Sequence, residues 1–189
     1  MQSAPVHVLF LNTSNTARSV MAEVLLRDLA GGRARCFSAG TSPVGKFLPE
    51  VENLLSQKGF DTVGVFSKSL QLFLEEGAPH IDLVVTICDS NERMPVLGPL
   101  GALRVHWELP NIVEISSTEE QSSAIKASYC ALEDSLRQVL HPSWQGLTLR
   151  EIQRLFEVVA PLTPILTLKK NSVPESFIFE LDVPMTAYA

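Results

Sequence analysis

Apolar and polar positions along the chain switch repeatedly between two periods. Val6 to Leu11 is a short apolar run with the length and β-branched content of a buried parallel strand. Asn12 to Arg18 is a loop of small polar residues. From Ser19 onward the apolar residues Val20, Met21, Val24 and Leu25 take helical spacing, which leaves Arg18, Glu23 and Arg27 for other faces. Ala30-Gly31-Gly32 stops this helix. Ala34 to Ser38 predicts a second strand, with a loop at 39–45. Pro49 to Lys58 predicts a helix burying Val51, Leu54 and Leu55, with Pro49 in its first turn and Gly59 after its end. A short helix starts in Phe66 to Leu70, capped by Ser67 or Ser69.

Ile81 to Ile87 is an apolar strand ending in Cys88-Asp89, and Leu103 to Trp107 is a further strand. Ser117 to Leu140 predicts a long helix, with Ile125, Tyr129, Leu132, Leu136 and Val139 on its apolar face and acids in its first turn. Gly146 to Val159 predicts an amphipathic helix with Thr148 as cap. Beyond Pro161, Pro164 and Pro174, Ser176 to Asp182 has the pattern of an edge strand. Strands alternating with helices make the fold class α/β, with a mostly parallel sheet.

Composition narrows the class. A hydrophobic content of 46% and a charged content of 19% are those of a globular domain. The net charge of −6 argues against nucleic-acid and anionic-membrane partners, which reward basic faces. Cys36, Cys88 and Cys130 are odd in number and widely spaced, which excludes a disulfide framework and a Cys-rich zinc site. His7, His80, His106 and His141 are scattered, so no metal site or cofactor is expected. No signal peptide or membrane-length apolar run is visible, and a cytoplasmic location is the expectation.

The chemistry concentrates at the first loop. A strand, a small polar loop and a capped helix can aim several backbone N–H groups and the positive end of a helix dipole at one point. Arg18, at the start of that helix, is placed to clamp an anion with its planar fork. An ordinary strand–helix connection with a surface arginine has the same spacing.

The residues of this loop decide between the two. Asn12-Thr13-Ser14-Asn15-Thr16-Ala17-Arg18-Ser19 and the M-A-E-x-L-L-R helix resemble the low-molecular-weight protein tyrosine phosphatases and the related thioredoxin-coupled arsenate reductases. In that family the frame is Cys-x5-Arg-Ser, usually with an inner Asn. The likeness continues through the S-A-G-T loop at Ser38 to Thr41 and Ser67-Lys68-Ser69-Leu70, and spans about residues 5–140. The arsenate reductase branch is the more similar, through S-A-G-T-S-P, T-I-C-D and H-W-E-L-P. The resemblance implies a three-layer sandwich with a four-stranded parallel sheet. Residues 1–142 would form this domain and 143–189 an extension packing on the domain or on a second subunit.

The resemblance also implies a mechanism whose parts are altered here. The nucleophilic Cys is replaced by Asn12, and a carboxamide is not a nucleophile in this chemistry. Thr13, Ser14 or Thr16 would need a nearby base, and none is visible in the loop. The general-acid Asp is replaced by Asn111, with Glu108 and Glu114 too displaced in sequence to stand in readily. Cys88 stands at the first relay cysteine of the arsenate reductases, but Met94 precedes Pro95-Val96 where the second is expected. The family-equivalent catalytic positions are thus Asn12, Arg18, Cys88 and Asn111, and the expected anion-binding set is Asn12, Thr13, Ser14, Asn15, Thr16, Ala17, Arg18 and Ser19.

Three functions follow as expectations. The first is a catalytically impaired member that binds a small oxyanion (phosphate, sulfate or arsenate) or a protein partner. The second is an active phosphatase or arsenate reductase with a non-standard nucleophile, or with a cysteine supplied by another chain. The third is a structural or regulatory module that forms a homodimer or docks a partner through the extension. In every case the Asn12 carboxamide decides whether the loop is plugged by its own side chain or open to an anion.

Overall fold

The computed structural model describes residues 4–89 and 98–161. Met94 and the strand expected at 176–182 lie outside the described residues. Four parallel strands form one sheet in the order β2-β1-β3-β4: β1 Val6–Asn12, β2 Ala34–Gly40, β3 Leu83–Cys88 and β4 Leu103–Glu108. The helices are α1 Arg18–Leu29, α2 Pro49–Gln57, α3 Thr118–Leu140 and α4 Leu149–Val158, with a short 3-10 turn at Leu70–Phe73. This is the expected four-stranded parallel α/β architecture.

Both faces of the sheet are covered, which is why the strands are near-continuous apolar runs. Alternation along β1 sends Val8 and Phe10 to one face and Leu9 and Leu11 to the other. The first face carries the main core with α1, α3 and α4. The second packs Leu70 and Phe73 of the 3-10 turn with Ile81 and Val84.

Most boundaries move by a residue or two at element ends, where pairing rather than hydropathy decides. β2 continues to Gly40 because the whole of β1 pairs with it, Val6 against Ala34 through Asn12 against Gly40. β3 begins at Leu83, two residues past the expected Ile81, because pairing with β1 starts there. Glu108 closes β4 and belongs to the strand, not to its exit loop. Of the two candidate caps for the 3-10 turn, Ser69 is the one used, its side chain accepting from Gln71 N.

One expectation about α1 needs correction: its N-cap is Ala17, and no side chain caps it. The faces left to Arg18 and Glu23 are also covered, since every residue from Arg18 to Leu26 is buried. A helix sandwiched between the sheet, α3 and the 67–70 segment has no solvated stripe, so its polar residues must find partners inside.

α4 joins the main core. Trp107 of β4 is fully buried and stacks on Phe156 with ring centroids 5.7 Å apart, and its indole Nε1 donates to the Phe156 carbonyl at 2.8 Å. Thr148 and Glu151 form a capping box at the start of α4, which lowers the Glu151 carboxyl through the Thr148 hydrogen bonds. No helix among the described residues is long and apolar enough to cross a membrane.

Candidate functional site: the loop after the first strand

The central position of β1 puts the 12–18 loop at the carboxyl edge of the sheet, between the ends of β2 and β3. Its shape comes from where its carbonyls go. Those of Asn12, Thr13, Ser14 and Thr16 accept from the backbone N–H groups of Thr41, Ser42, Val44 and Leu48. With its carbonyls drawn toward the 41–48 segment, the loop turns N–H groups to its concave side. The N–H groups of Ser14, Thr16 and Ala17 find no protein acceptor among the described residues, although Thr16 and Ala17 are buried. Buried donors of this kind are costly unless a ligand or water meets them.

Close backbone approach at this point depends on Gly40. A Cβ there would lie 2.7 Å from the Thr13 carbonyl oxygen and 3.1 Å from Asn15 Cβ. The S-A-G-T motif therefore has a physical reason that hydropathy does not display: the end of β2 must lie flat against the loop.

Asn15 is the internal brace. Its φ of 51° lies in the left-handed region, which Asn tolerates better than most side chains. Its amide Nδ2 donates to Ser19 Oγ and to Ser38 Oγ, both at 2.9 Å, and its Oδ1 accepts from Lys68 N at 2.8 Å. Ser38 in turn donates to Glu23 Oε2 at 2.5 Å, and Lys68 Nζ lies 3.4 Å from the same oxygen. Burial raises the Glu23 carboxyl above its ordinary range, against the opposing pull of Lys68 and the Ser38 hydrogen bond. Glu23, Ser38, Gly40 and Lys68 are site-supporting residues that periodicity does not mark. The only signal for them in the sequence is the clustering of S-A-G-T, M-A-E and S-K-x-L in one family resemblance.

Asn12 sits at the mouth of this network, and its orientation is fixed by unambiguous donors. The backbone N–H of Asn15 points at Oδ1 from 2.8 Å, and only an oxygen can accept it. Ser19 Oγ, itself accepting from Asn15, donates to the same Oδ1 at 2.9 Å. The carboxamide oxygen is thus turned inward and takes one loop N–H. Its Nδ2 makes no hydrogen bond among the described residues, where no fully buried side-chain nitrogen or oxygen lacks a partner, so this amide group retains contact with accessible space.

The remaining predicted residues fall around the same edge. Thr13 is exposed at the loop tip, while the Ser14 and Thr16 hydroxyls bond each other at 2.9 Å. Arg18 is buried, and it reaches across to the segment after β4. There its Nη1 donates to the Leu109 carbonyl at 2.8 Å and its Nη2 to Asn111 Oδ1 at 3.4 Å. Asn111 donates to Glu114 Oε1 at 2.9 Å. Cys88 is buried at the end of β3, its sulfur 3.9 Å from His106 Nδ1. Cys36 is buried in β2, which pushes its thiol far up, and Cys130 is exposed on α3. No group of His, Cys, Asp and Glu among the described residues could hold a metal ion. His7, on a central strand, uses Nδ1 to bond the His80 carbonyl.

Comparison with known proteins meets this geometry from outside. The family model for low molecular weight phosphotyrosine protein phosphatase matches residues 7–106. The chain is 28% identical over 118 residues to the arsenate reductase of Bacillus subtilis, an alignment covering 62% of this chain and 81% of the relative. The crystal structure of arsenate reductase from Archaeoglobus fulgidus superposes with a TM-score of 0.56 at 23% identity, covering 71% of this chain and 99% of that one. The tyrosine phosphatase Wzb from Escherichia coli K30, in complex with sulphate, gives 0.52 at 17% identity over 79% and 97% of the two chains.

Proposed function

The chain belongs to the low molecular weight phosphotyrosine protein phosphatase family, and we propose that it binds a small tetrahedral oxyanion at the Asn12–Ser19 loop without performing the covalent chemistry. The observation that carries this reading is that the Asn12 oxygen, held against Asn15 N and Ser19 Oγ, takes only one loop N–H and so leaves those of Ser14, Thr16 and Ala17 without a protein acceptor among the described residues. An amide in this place is not a nucleophile toward phosphorus or arsenic, because its nitrogen pair is delocalised and it has no ionisable proton to lose. It brings no negative charge into the loop, and an uncharged cradle holds an oxyanion better than one carrying a thiolate. Its Nδ2 adds a donor to the N–H groups of Ser14, Thr16 and Ala17, with Arg18 beside them.

The other catalytic parts support the same reading. Asn111 has no acidic proton to transfer to a leaving oxygen. The Ser14 and Thr16 hydroxyls bond each other, with no base beside them among the described residues. The relatives that reduce arsenate and the sulphate carried by Wzb fit the size and charge of the expected ligand.

Calorimetric titration of the full chain with phosphate, arsenate and sulfate tests the proposal, alongside assays of p-nitrophenyl phosphate hydrolysis and thioredoxin-dependent arsenate reduction. Saturable binding that is lost in Arg18→Ala, with no turnover in either assay, is the expected result. Turnover that disappears with Arg18→Ala, or a chain that binds none of the three anions, would overturn it.

A further inference from the structure

Arg18 is committed to the 109–111 segment by two bonds of unequal quality. The bond from Nη1 to the Leu109 carbonyl is short and buried. The one from Nη2 to Asn111 Oδ1 is long and only partly buried. Two further bonds orient the Asn111 amide: its Nδ2 donates to Glu114 Oε1, and its Oδ1 also accepts from Val113 N at 3.2 Å. The amide oxygen is therefore presented to the guanidinium as a built-in acceptor.

We propose that Asn111 is an internal competitor for Arg18, so that an oxyanion entering the loop displaces Asn111 Oδ1 from Nη2 and loosens the 109–114 segment. This rests on the loop being an oxyanion site. A charged oxygen makes a stronger bond to guanidinium than a neutral amide oxygen does. The long Nη2 contact is the one to be exchanged, while the Leu109 carbonyl keeps the guanidinium plane in place. The anion-free state is thereby stabilised, and the apparent affinity falls by the fraction of time Arg18 is held by Asn111. Coupling is reciprocal: whatever pulls the 109–114 segment away from Arg18 tightens the anion, and the anion frees the segment.

Phosphate titration of the full chain, Asn111→Ala and Asn111→Asp, combined with amide hydrogen exchange over 109–115, tests this. Asn111 is only half-buried, and thermal melts establish that each variant folds. Asn111→Ala should bind phosphate about 3- to 10-fold tighter, the worth of one released hydrogen bond. Asn111→Asp, a charged partner for Arg18, should bind it about tenfold more weakly at neutral pH. Phosphate should speed exchange over 109–115 in the unaltered chain, and Asn111→Ala should do so without phosphate. Phosphate binding that neither substitution changes overturns the competition alone. Absence of binding in all three proteins overturns the oxyanion site and the competition with it.

Discussion

The side-chain oxygen of Asn12 accepts the backbone N–H of Asn15 at 2.8 Å, so the first residue of the loop is hydrogen-bonded to its fourth. A thiol in place of the amide would receive the same N–H and the Ser19 hydroxyl, both of which stabilise a thiolate. Asn12→Cys should therefore be alkylated by iodoacetamide at mildly acidic pH, faster than the exposed Cys130 of the same chain, and phosphate should protect it. It should also gain hydrolysis of p-nitrophenyl phosphate, whose leaving group needs no acid, but not of alkyl phosphates, because Asn111 cannot protonate them. Labelling at the rate of Cys130 would show that the donors do not converge on this position.

Asn15 combines a left-handed backbone with three side-chain hydrogen bonds, and two substitutions separate these contributions. Asn15→Gly keeps the conformation and loses the bonds. Asn15→Ala loses both and should be about 1 kcal/mol less stable than the glycine variant. Urea unfolding measures the difference. Equal stability would mean that the backbone at this residue relaxes without cost.

Glu23 gives a pH dependence with a definite sign. Its carboxyl is raised above the ordinary value of 4.5, so the folded chain retains a proton that the unfolded chain has released. Its contribution is therefore fully present below pH 4.5 and is lost as pH rises from there through the raised folded value. Glu23→Gln should flatten the fall in stability over that range in a pH series of urea melts. A variant with the same slope as the unaltered chain would show that Lys68 and Ser38 cancel the effect of burial.

Phe156 ties α4 to the sheet through its stack on Trp107. Phe156→Ala should cost about 3–5 kcal/mol, the range for emptying a buried aromatic site, and should lower the melting temperature of the whole domain in one transition. A loss confined to a separate, early transition would make α4 an independently folding appendage.

Much of this architecture was legible in the chain because burial on both faces of a parallel sheet leaves apolar runs, and the long helices carry a clear period. The capping of α4 by Thr148 was legible too, since a cap is local chemistry between a side chain and the N–H groups just after it. Glu23 and Arg18 were not: their helix offers no solvated stripe, and what holds them lies 45 and 91 residues away, at Lys68 and Leu109. Spacing along one helix carries no information about such partners.

The sequence by itself determined the α/β class, the strand–loop–helix frame and a carboxamide at position 12, because these follow from residue types and local periods. Only the tertiary structure decided how Asn12 is turned, since its oxygen answers to donors on Asn15 and Ser19 that the folded loop brings together. It alone shows Arg18 engaged with Leu109 and Asn111. A side chain's identity is written in the sequence, but the acceptor it meets is set by which strand ends the sheet aligns.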